Sequence, residues 1–132
     1  MLQNAHLASS SVLFWLLILI AAGIIFIGTR FIVAPLRAAQ DFGVPAGASE
    51  GSTYMWAKGT RDIVSGLLAL GLLWLRVNPD VLAMFVFIAS LIPLGDLLNV
   101  YAHNPAKMYA AFFIHGGTAL FMWLVAIFLL RA

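Results

Sequence analysis

Long apolar segments, separated by short polar turns, limit what this sequence can fold into more than any other feature. The first segment runs from about Ser11 to Val33 without a charge before Arg30, and its length matches the ~20 apolar residues that a bilayer-crossing helix requires. Three more segments cover about residues 54–75, 81–102 and 108–130. Because lipid cannot satisfy backbone hydrogen bonds and these segments lack the alternation of barrel strands, we predict helices. The expected fold is a single all-α integral membrane domain over residues 1–132, a four-transmembrane-helix bundle.

The composition supports a membrane protein and excludes several functions. Hydrophobic residues make up 64% of the chain and charged residues 9%, against about 25% charged in soluble domains. The seven basic residues are spread along the chain and form no patch, so we exclude nucleic acid as a partner. The chain has no cysteine, which excludes disulfide-exchange chemistry. The first ten residues contain no Lys or Arg, so we expect a retained first span rather than a cleaved secretory signal.

The connections between the segments predict turns and an orientation. Residues 34–53 contain two prolines and three glycines, and we predict that they form the one long loop. Asn78 and Pro79 predict a tight turn between the second and third spans. Five basic residues fall on the side of the long loop and two on the other, so the positive-inside rule places this loop in the cytoplasm, beneath a bacterial inner membrane. Tyr and Trp residues lie towards the span ends, with Trp123 as the exception.

Ionisable residues inside the predicted spans are the strongest pointer to function. Between Ile63 and Leu75 there are thirteen uncharged residues, roughly 20 Å of helix at ~1.5 Å per residue, against a hydrocarbon core of about 30 Å. The same count over the other spans places Asp62, Asp96 and His115 roughly 6–9 Å below one membrane boundary. An unpaired acid at such a depth costs ~2.5 kcal/mol or more. Three helices thus bring costly polar groups to one level, which favours a functional site.

On the second predicted helix, Lys58 and Asp62 are four residues apart and therefore share one face. Arg61 points about 100° away from that face, where its long side chain can reach the interface. A purely structural role stays open for these residues. In that interpretation Arg61 and Asp62 are a charge pair near the interface, and Lys58 extends towards the head groups.

The third and fourth predicted helices carry the remaining polar groups. Asp96 and Asn99 are three residues apart on one face, as are His115 and Thr118, and two glycines after His115 permit close helix approach. Pro93 removes a backbone donor one turn before Asp96, which predicts a kink. The structural alternative makes Asp96 a partner of a nearby cation and gives His115 a hydrogen bond between helices.

Four stretches of the chain resemble the ordered signatures of a known family. These stretches are FIVAPLRAAQDFGVP, KGTRDIVSGLLAL, IPLGDLLNVY and HGGTALFMWLVAIFLLR. They are similar to a family of small four-span bacterial and fungal membrane proteins catalogued as a domain of unknown function, and the resemblance covers nearly all of the chain after residue 20. It implies a fold and a membrane location, and it carries over no activity.

From the residues we predict a polar pocket near the cytoplasmic side that binds a small lipophilic molecule with a polar head. Acid–base conversion of that molecule needs no cofactor, and carboxylate and imidazole groups suit it. The predicted catalytic residues are Asp62, Asp96 and His115, and the predicted ligand-binding residues are Lys58, Arg61, Asn99 and Thr118. The expected partners are the lipid bilayer, the ligand and a second copy of the chain.

Two other classes of function remain open on the sequence. One is proton-coupled transport of a small molecule, for which intramembrane acids are the usual relay. The other is a non-enzymatic accessory subunit whose polar residues specify packing. A metal site is not expected, because one histidine and no cysteine within the spans give a poor ligand set.

Overall fold

The computed structural model describes residues 6–44 and 50–132. Over these residues the chain is helical and contains no strand, which confirms the all-α prediction. The helices are α1 Val12–Val33, α2 Pro35–Phe42, α3 Glu50–Trp74, α4 Pro79–Ala89, α5 Leu91–His103, α6 Met108–Ala111 and α7 Gly117–Leu129. A 3₁₀ turn at Pro105–Lys107 precedes α6, and a π-helical turn at Phe112–Gly116 follows it.

Three helical segments in the described part of the chain are long and apolar enough to cross a membrane. They are Val12–Val33, Pro79–His103 and Pro105–Leu129, so that α4 with α5, and α6 with α7, each make one segment. These segments are typical of a membrane protein. Helix α3 is as long, with 25 residues, but it carries Lys58, Arg61 and Asp62 and is therefore less apolar. Three of the four predicted spans thus have the expected length and composition.

Helices α1 and α3 pack closely because glycines line both sides of their contact. A Cβ atom on Gly59 would lie 2.5 Å from the carbonyl oxygen of Gly28, and one on Gly28 would lie 2.6 Å from that of Gly59. Two turns further along α3, a Cβ on Gly66 would lie 2.8 Å from the carbonyl oxygen of Ala21. Ala21 and Gly28 are seven residues apart, as are Gly59 and Gly66, so one face of each helix is small. Small residues of this kind let backbones approach in membrane bundles.

The third predicted span is interrupted one turn before Pro93. Helix α4 begins at the Asn78–Pro79 turn, where the Asn78 side chain accepts a hydrogen bond of 2.9 Å from the backbone N–H of Asp80. It ends at Ala89, and α5 starts after Ser90. Proline lacks the N–H that would bond the carbonyl of Ala89, so the interruption has the cause that the sequence predicts.

A hydrogen bond between helices explains the exceptional position of Trp123. Its indole N–H donates to the hydroxyl of Ser90 at 2.7 Å, and Ser90 is fully buried. The same hydroxyl donates to the carbonyl of Phe87 at 2.5 Å. Trp123 therefore ties α7 to the break between α4 and α5 instead of anchoring the protein at an interface.

The predicted long loop contains a helix that the sequence analysis missed. Helix α2 starts with Pro35 and ends at Gly43, whose φ of 104° is the left-handed conformation that glycine adopts without strain. Ala38, Ala39 and Phe42 are buried on one face of α2. The prediction of a loop was wrong here, because short apolar residues at helical spacing pack against the bundle. The centre of the predicted loop, residues 45–49, lies outside the described residues.

The larger of the two buried apolar clusters lies towards the start of α4 and the end of α7, and we call it the apolar end. Its larger side chains are Leu17, Leu73, Leu82, Val86, Met122, Val125 and Leu129, which are each at most 8% exposed. All of these side chains are aliphatic or thioether groups, so dispersion contacts are what hold this end together. The predicted site residues Lys58, Asp62 and Asp96 are not part of this cluster.

Candidate functional site

A cavity of about 270 Å³ lies within the bundle and reaches the apolar end at Met122. Helices α1 to α5 and α7 and the π-helical turn all contribute to its wall. Most of the wall is apolar, and Ile24, Phe31, Phe42, Ile92 and Met122 are among its members. The polar residues of the wall include Lys58, Asp62, Asp96, His115 and Thr118. The cavity is therefore a mainly apolar space with one polar side.

Two helices contribute a charged cluster to that polar side. The ammonium group of Lys58 lies 3.1 Å from Oδ2 of Asp62 and 2.9 Å from Oδ2 of Asp96, so one lysine joins α3 to α5. Nε and Nη2 of Arg61 donate to Oδ1 of Asp62 at 3.1 and 3.0 Å. Arg61 Nη2 also lies 3.6 Å from Oδ1 of Asp96. Two cations thus balance two carboxylates, which is the arrangement that makes buried charge tolerable.

Burial within the cluster is uneven. The side chains of Lys58, Asp62 and Asp96 are 11%, 6% and 14% exposed, whereas that of Arg61 is 45% exposed. Arg61 therefore covers the cluster from outside, with its guanidinium folded back onto the carboxylates. We call Lys58, Arg61, Asp62 and Asp96 the charged cluster.

Two aromatic rings also contact the lysine. The Lys58 ammonium lies 4.7 Å from the ring centroid of Phe31 and 4.9 Å from that of Phe42, both within the range of a cation–π interaction. The two rings themselves meet edge to face at 6.0 Å. Phe42 belongs to α2, so the helix inside the predicted loop covers the charged cluster.

His115 reaches the cavity from the π-helical turn. Its ring packs on Phe42 with the centroids 4.9 Å apart, and its Nε2 lies 3.4 Å from the carbonyl oxygen of Phe42. A π-helical turn inserts one extra residue into the helix and changes the direction of the side chains that follow, and such turns are frequent at functional sites. Thr118, one turn further on, donates its hydroxyl proton to the carbonyl of Ile114 at 2.6 Å.

A second ion pair stands at the rim of the cavity. Arg30 of α1 bonds to Asp41 of α2 through Nη2 and Oδ2, and their side chains are 40% and 55% exposed. Both residues contribute to the cavity wall. The pair holds α2 in place over the cavity, and its exposure makes it a weak contributor to stability.

The structure brings together most of the residues that the sequence analysis selected. Lys58, Asp62, Asp96, His115 and Thr118 all line the cavity, and Arg61 contacts the carboxylates from outside. Asn99 differs from the expectation, because it is exposed and does not line the cavity. It follows Asp96 by three residues, and that turn of the helix carries its side chain away from the cavity.

Sequence reasoning did not select Phe31, Phe42 or the Arg30–Asp41 pair. The signal for Phe42 was present in the apolar spacing of Ala38, Ala39 and Phe42 before a glycine, which is typical of a short capped helix. The π-helical turn has a weaker signal, the poor helix formers Gly116 and Gly117. Within residues 6–44 and 50–132, no three His, Cys, Asp or Glu side chains group closely enough to hold a metal ion.

A second hollow, of about 630 Å³, lies between α4 and α7. Met84, Phe87, Trp123 and Ile127 line it, and Asp80 is its one charged member. It offers no pair of acid and base groups, and an apolar surface of this kind on a membrane helix faces lipid chains. The candidate site is therefore the cavity beside the charged cluster.

Comparisons with known proteins agree with the resemblance noted in the sequence. No curated protein and no solved structure matches this chain. A family model described as a domain of unknown function, DUF4267, matches residues 21–129. That match begins inside α1 and ends at the last residue of α7, so it includes both the charged cluster and the cavity. The protein therefore belongs to the DUF4267 family of domains of unknown function.

Proposed function

We propose that this protein binds a small lipophilic molecule with a polar head in the cavity beside the charged cluster. One observation carries the proposal: Lys58, Asp62 and Asp96 are buried together at the wall of a space that is otherwise apolar. Burying ions in a membrane bundle is costly and marks a functional site by default. The mixture of an apolar wall with a few polar groups is what small-molecule sites share.

The proposal takes α3 as the fourth membrane span. Helix α3 packs along α1 through the glycine contact, and α1 is itself long and apolar enough to span. Lys58 and Asp62 are buried and Lys58 bonds to Asp96 of α5, so of the three α3 charges in the cluster only Arg61 is largely exposed. In this arrangement the four spans form one bundle, and the basic residues put α2 and the cavity on the cytoplasmic side.

The ligand would reach the cavity from the bilayer. Ile27 of α1 and Ile114 of the π-helical turn line the cavity and are also 48% and 56% exposed on the surface of the bundle. Thr118 beside them is exposed too. The cavity volume of about 270 Å³ is at the small end for ligand sites, which are about 300–1,000 Å³. The head group would occupy the cavity while the rest of the molecule stays among the lipid chains.

Acid–base conversion of the bound molecule is the chemistry that these groups support. Asp96 and His115 stand on different helices and line one cavity, so one can take a proton from the ligand while the other returns one. Asp62 holds Lys58 and Arg61, and Arg61 would stabilise negative charge that develops near the mouth. An isomerisation, cyclisation or hydration requires only such transfers.

Native mass spectrometry of the protein extracted with its lipids tests the binding proposal. We expect the wild type to retain a discrete small molecule, and we expect Asp96→Asn to lose it. Asp80→Asn is the matched control, because Asp80 is an exposed acid at the start of α4. Ile92→Phe is a second variant, which fills the cavity and leaves every charge in place.

Retention of the same molecule by Asp96→Asn and by Ile92→Phe would contradict binding in the cavity. If the wild type carries no molecule and the variants change only the oligomeric mass or the stability, the charged cluster specifies packing, as in an accessory subunit. The oligomeric state is read from the same spectra.

Proton-coupled transport is a second candidate, favoured by the lysine that joins carboxylates of two different helices. Relays of this type move protons in transporters. Transport predicts flux into vesicles that depends on a pH gradient and is lost in Asp62→Asn. Ligand binding without pH-dependent flux would reject this candidate and leave the binding proposal standing.

A further inference from the structure

The polar side of the cavity presents hydrogen-bond acceptors and balanced charge, and this arrangement selects among possible head groups. We infer that the ligand has an uncharged head group that donates a hydrogen bond, as an alcohol or a phenol does. The inference rests on the proposed function, since it names the class of molecule that the cavity binds. It depends on three groups that can still accept a hydrogen bond and on nearby cations that already bond to carboxylates.

The two cations of the charged cluster already bond to carboxylates. Lys58 gives hydrogen bonds to Asp62 and Asp96, and its ammonium also lies against the rings of Phe31 and Phe42. Arg61 gives two hydrogen bonds to Asp62 and stays outside the cavity wall. A carboxylate or phosphate head would add a negative charge to a cluster in which two cations already balance two carboxylates. Burying an uncompensated charge in this way is strongly unfavourable.

A positively charged head group meets the same obstacle from the other side. The two carboxylates of the cluster already face two cations, so a third cation would add unbalanced charge beside the buried Lys58. The ion pair at the rim, Arg30 with Asp41, is also neutral as a pair. An uncharged head group therefore costs the least to bring in.

Three acceptors remain available to such a head group. Oδ1 of Asp96 lies 3.6 Å from Arg61 Nη2, which is beyond hydrogen-bond distance, so this oxygen can still accept a hydrogen bond. The hydroxyl of Thr118 donates to Ile114 and keeps its own lone pairs. Both side chains line the cavity. A head group with an O–H can donate to either of them.

His115 supplies the third acceptor because of its contact with α2. The carbonyl of Phe42 can only accept, so Nε2 of His115, 3.4 Å away, carries the proton in the neutral ring. Nδ1 then holds the lone pair. Among the described residues no hydrogen bond is formed by that nitrogen, which leaves it to the cavity. A hydroxyl proton bound there would also be placed for removal by a base.

A series of hexadecyl compounds that differ only in the head group tests the inference. The purified full-length protein in detergent is titrated with hexadecanol, hexadecyl methyl ether, hexadecanoate and hexadecyltrimethylammonium, and one-to-one complexes are counted by native mass spectrometry. We expect hexadecanol to bind roughly tenfold or more tightly than each of the others, because a site built to accept a hydroxyl proton rejects analogues without one. The ether is the sharpest comparison, since it is neutral and has the same chain.

Variants connect this preference to the acceptors. His115→Phe keeps a ring against Phe42 and removes both nitrogens, so we expect it to reduce the preference for the alcohol over the ether at least severalfold. His103→Phe is the matched control, because His103 is exposed and does not line the cavity. Thr118→Val replaces a second acceptor at an exposed position and gives an independent reading if His115→Phe does not fold.

The outcomes separate the inference from the proposed function. If the ether binds as tightly as the alcohol, or if hexadecanoate or the ammonium compound binds most tightly, the head group is of another class and the inference is overturned. Binding that Ile92→Phe abolishes still supports a ligand in the cavity in those cases. If Ile92→Phe changes none of the four affinities, the compounds bind elsewhere and both proposals fail.

Discussion

The two ends of the bundle are built on opposite principles. At the apolar end, regular helices bury aliphatic side chains such as Leu17, Leu82 and Leu129, each at most 2% exposed. At the other end, a buried lysine links two acids beside a cavity, and the helices are irregular on both sides of it: α4 and α5 are separated at Ser90, and a π-helical turn precedes α7. The comparison teaches that the two ends depend on different interactions, apolar contacts at one and ion pairs beside a cavity at the other.

Polar groups from several helices meet at the cavity. Asp96 lies on α5, which begins after the interruption at Ser90, and His115 lies in the π-helical turn. Lys58 and Asp62 lie on α3, which packs closely against α1. The predictions below test this contrast between the apolar end and the charged cluster, in order of decreasing effect.

Removal of the central cation is expected to have the largest effect on stability. Lys58→Met leaves Asp62 and Asp96 buried with only the partly exposed Arg61, so the free energy of unfolding should fall by about 3–5 kcal/mol. Unfolding in mixed micelles by added denaturing detergent measures this quantity. Lys107→Met, at an exposed lysine, is the control and should change it by less than about 0.5 kcal/mol.

Neutralising the acids gives a second reading of the same site. If unpaired charge is the cause, Lys58→Met combined with Asp62→Asn and Asp96→Asn should recover much of the lost stability. Equal stability of Lys58→Met and the wild type would show that the ion pairs are not what holds this end, and the contrast between the two ends would disappear.

The glycine contact between α1 and α3 should be the next most sensitive place. Gly59→Ala puts a Cβ 2.5 Å from the Gly28 carbonyl oxygen, so the helices must separate and about 1–3 kcal/mol should be lost. Gly71→Ala on the same helix is the control, since nothing lies within 4 Å of its Cβ, and it should be neutral or stabilising by up to ~1 kcal/mol. If both variants unfold at the same detergent fraction, the close approach is not a stability determinant.

The hydrogen bond at the helix break is expected to contribute less. Trp123→Phe removes the donor to Ser90 and should lower the free energy of unfolding by about 0.6 kcal/mol, with ~1.7 kcal/mol as the upper end for such bonds in membranes. Trp74→Phe, at a position 86% exposed, measures the loss of an indole without that bond. A loss as large in Trp74→Phe would assign the effect to the indole itself.

The smallest effect is expected at Asn99. Its exposed position predicts that Asn99→Ala changes stability by less than about 0.5 kcal/mol and leaves the bound small molecule in place, in contrast to Asp96→Asn. Native mass spectrometry of the two variants side by side makes the comparison. Loss of the ligand in Asn99→Ala would show that this residue takes part in ligand binding.

The sequence predicted much of this arrangement, for reasons that are local. The length of each apolar run set the helices, Asn78 with Pro79 set a turn, and Pro93 set the break, since each depends on the backbone chemistry of a few neighbours. The depth count over three spans gathered Asp62, Asp96 and His115, because a membrane gives helices a common reference plane. Asn99 lies outside the cavity wall although it follows Asp96 by three residues, since two residues at that spacing differ in direction by about 60° around the helix.

The sequence alone determined that the chain forms long apolar helices and that acids, a lysine and a histidine lie at one level within them. It determined this because rise per residue and the cost of burying charge do not depend on how helices are arranged. Only the tertiary structure decided that Lys58 bridges two helices, that α2 lays Phe42 over it and that a π-helical turn presents His115 to the same cavity. These contacts join residues far apart in the chain, and packing between helices, which no local pattern encodes, selects their partners.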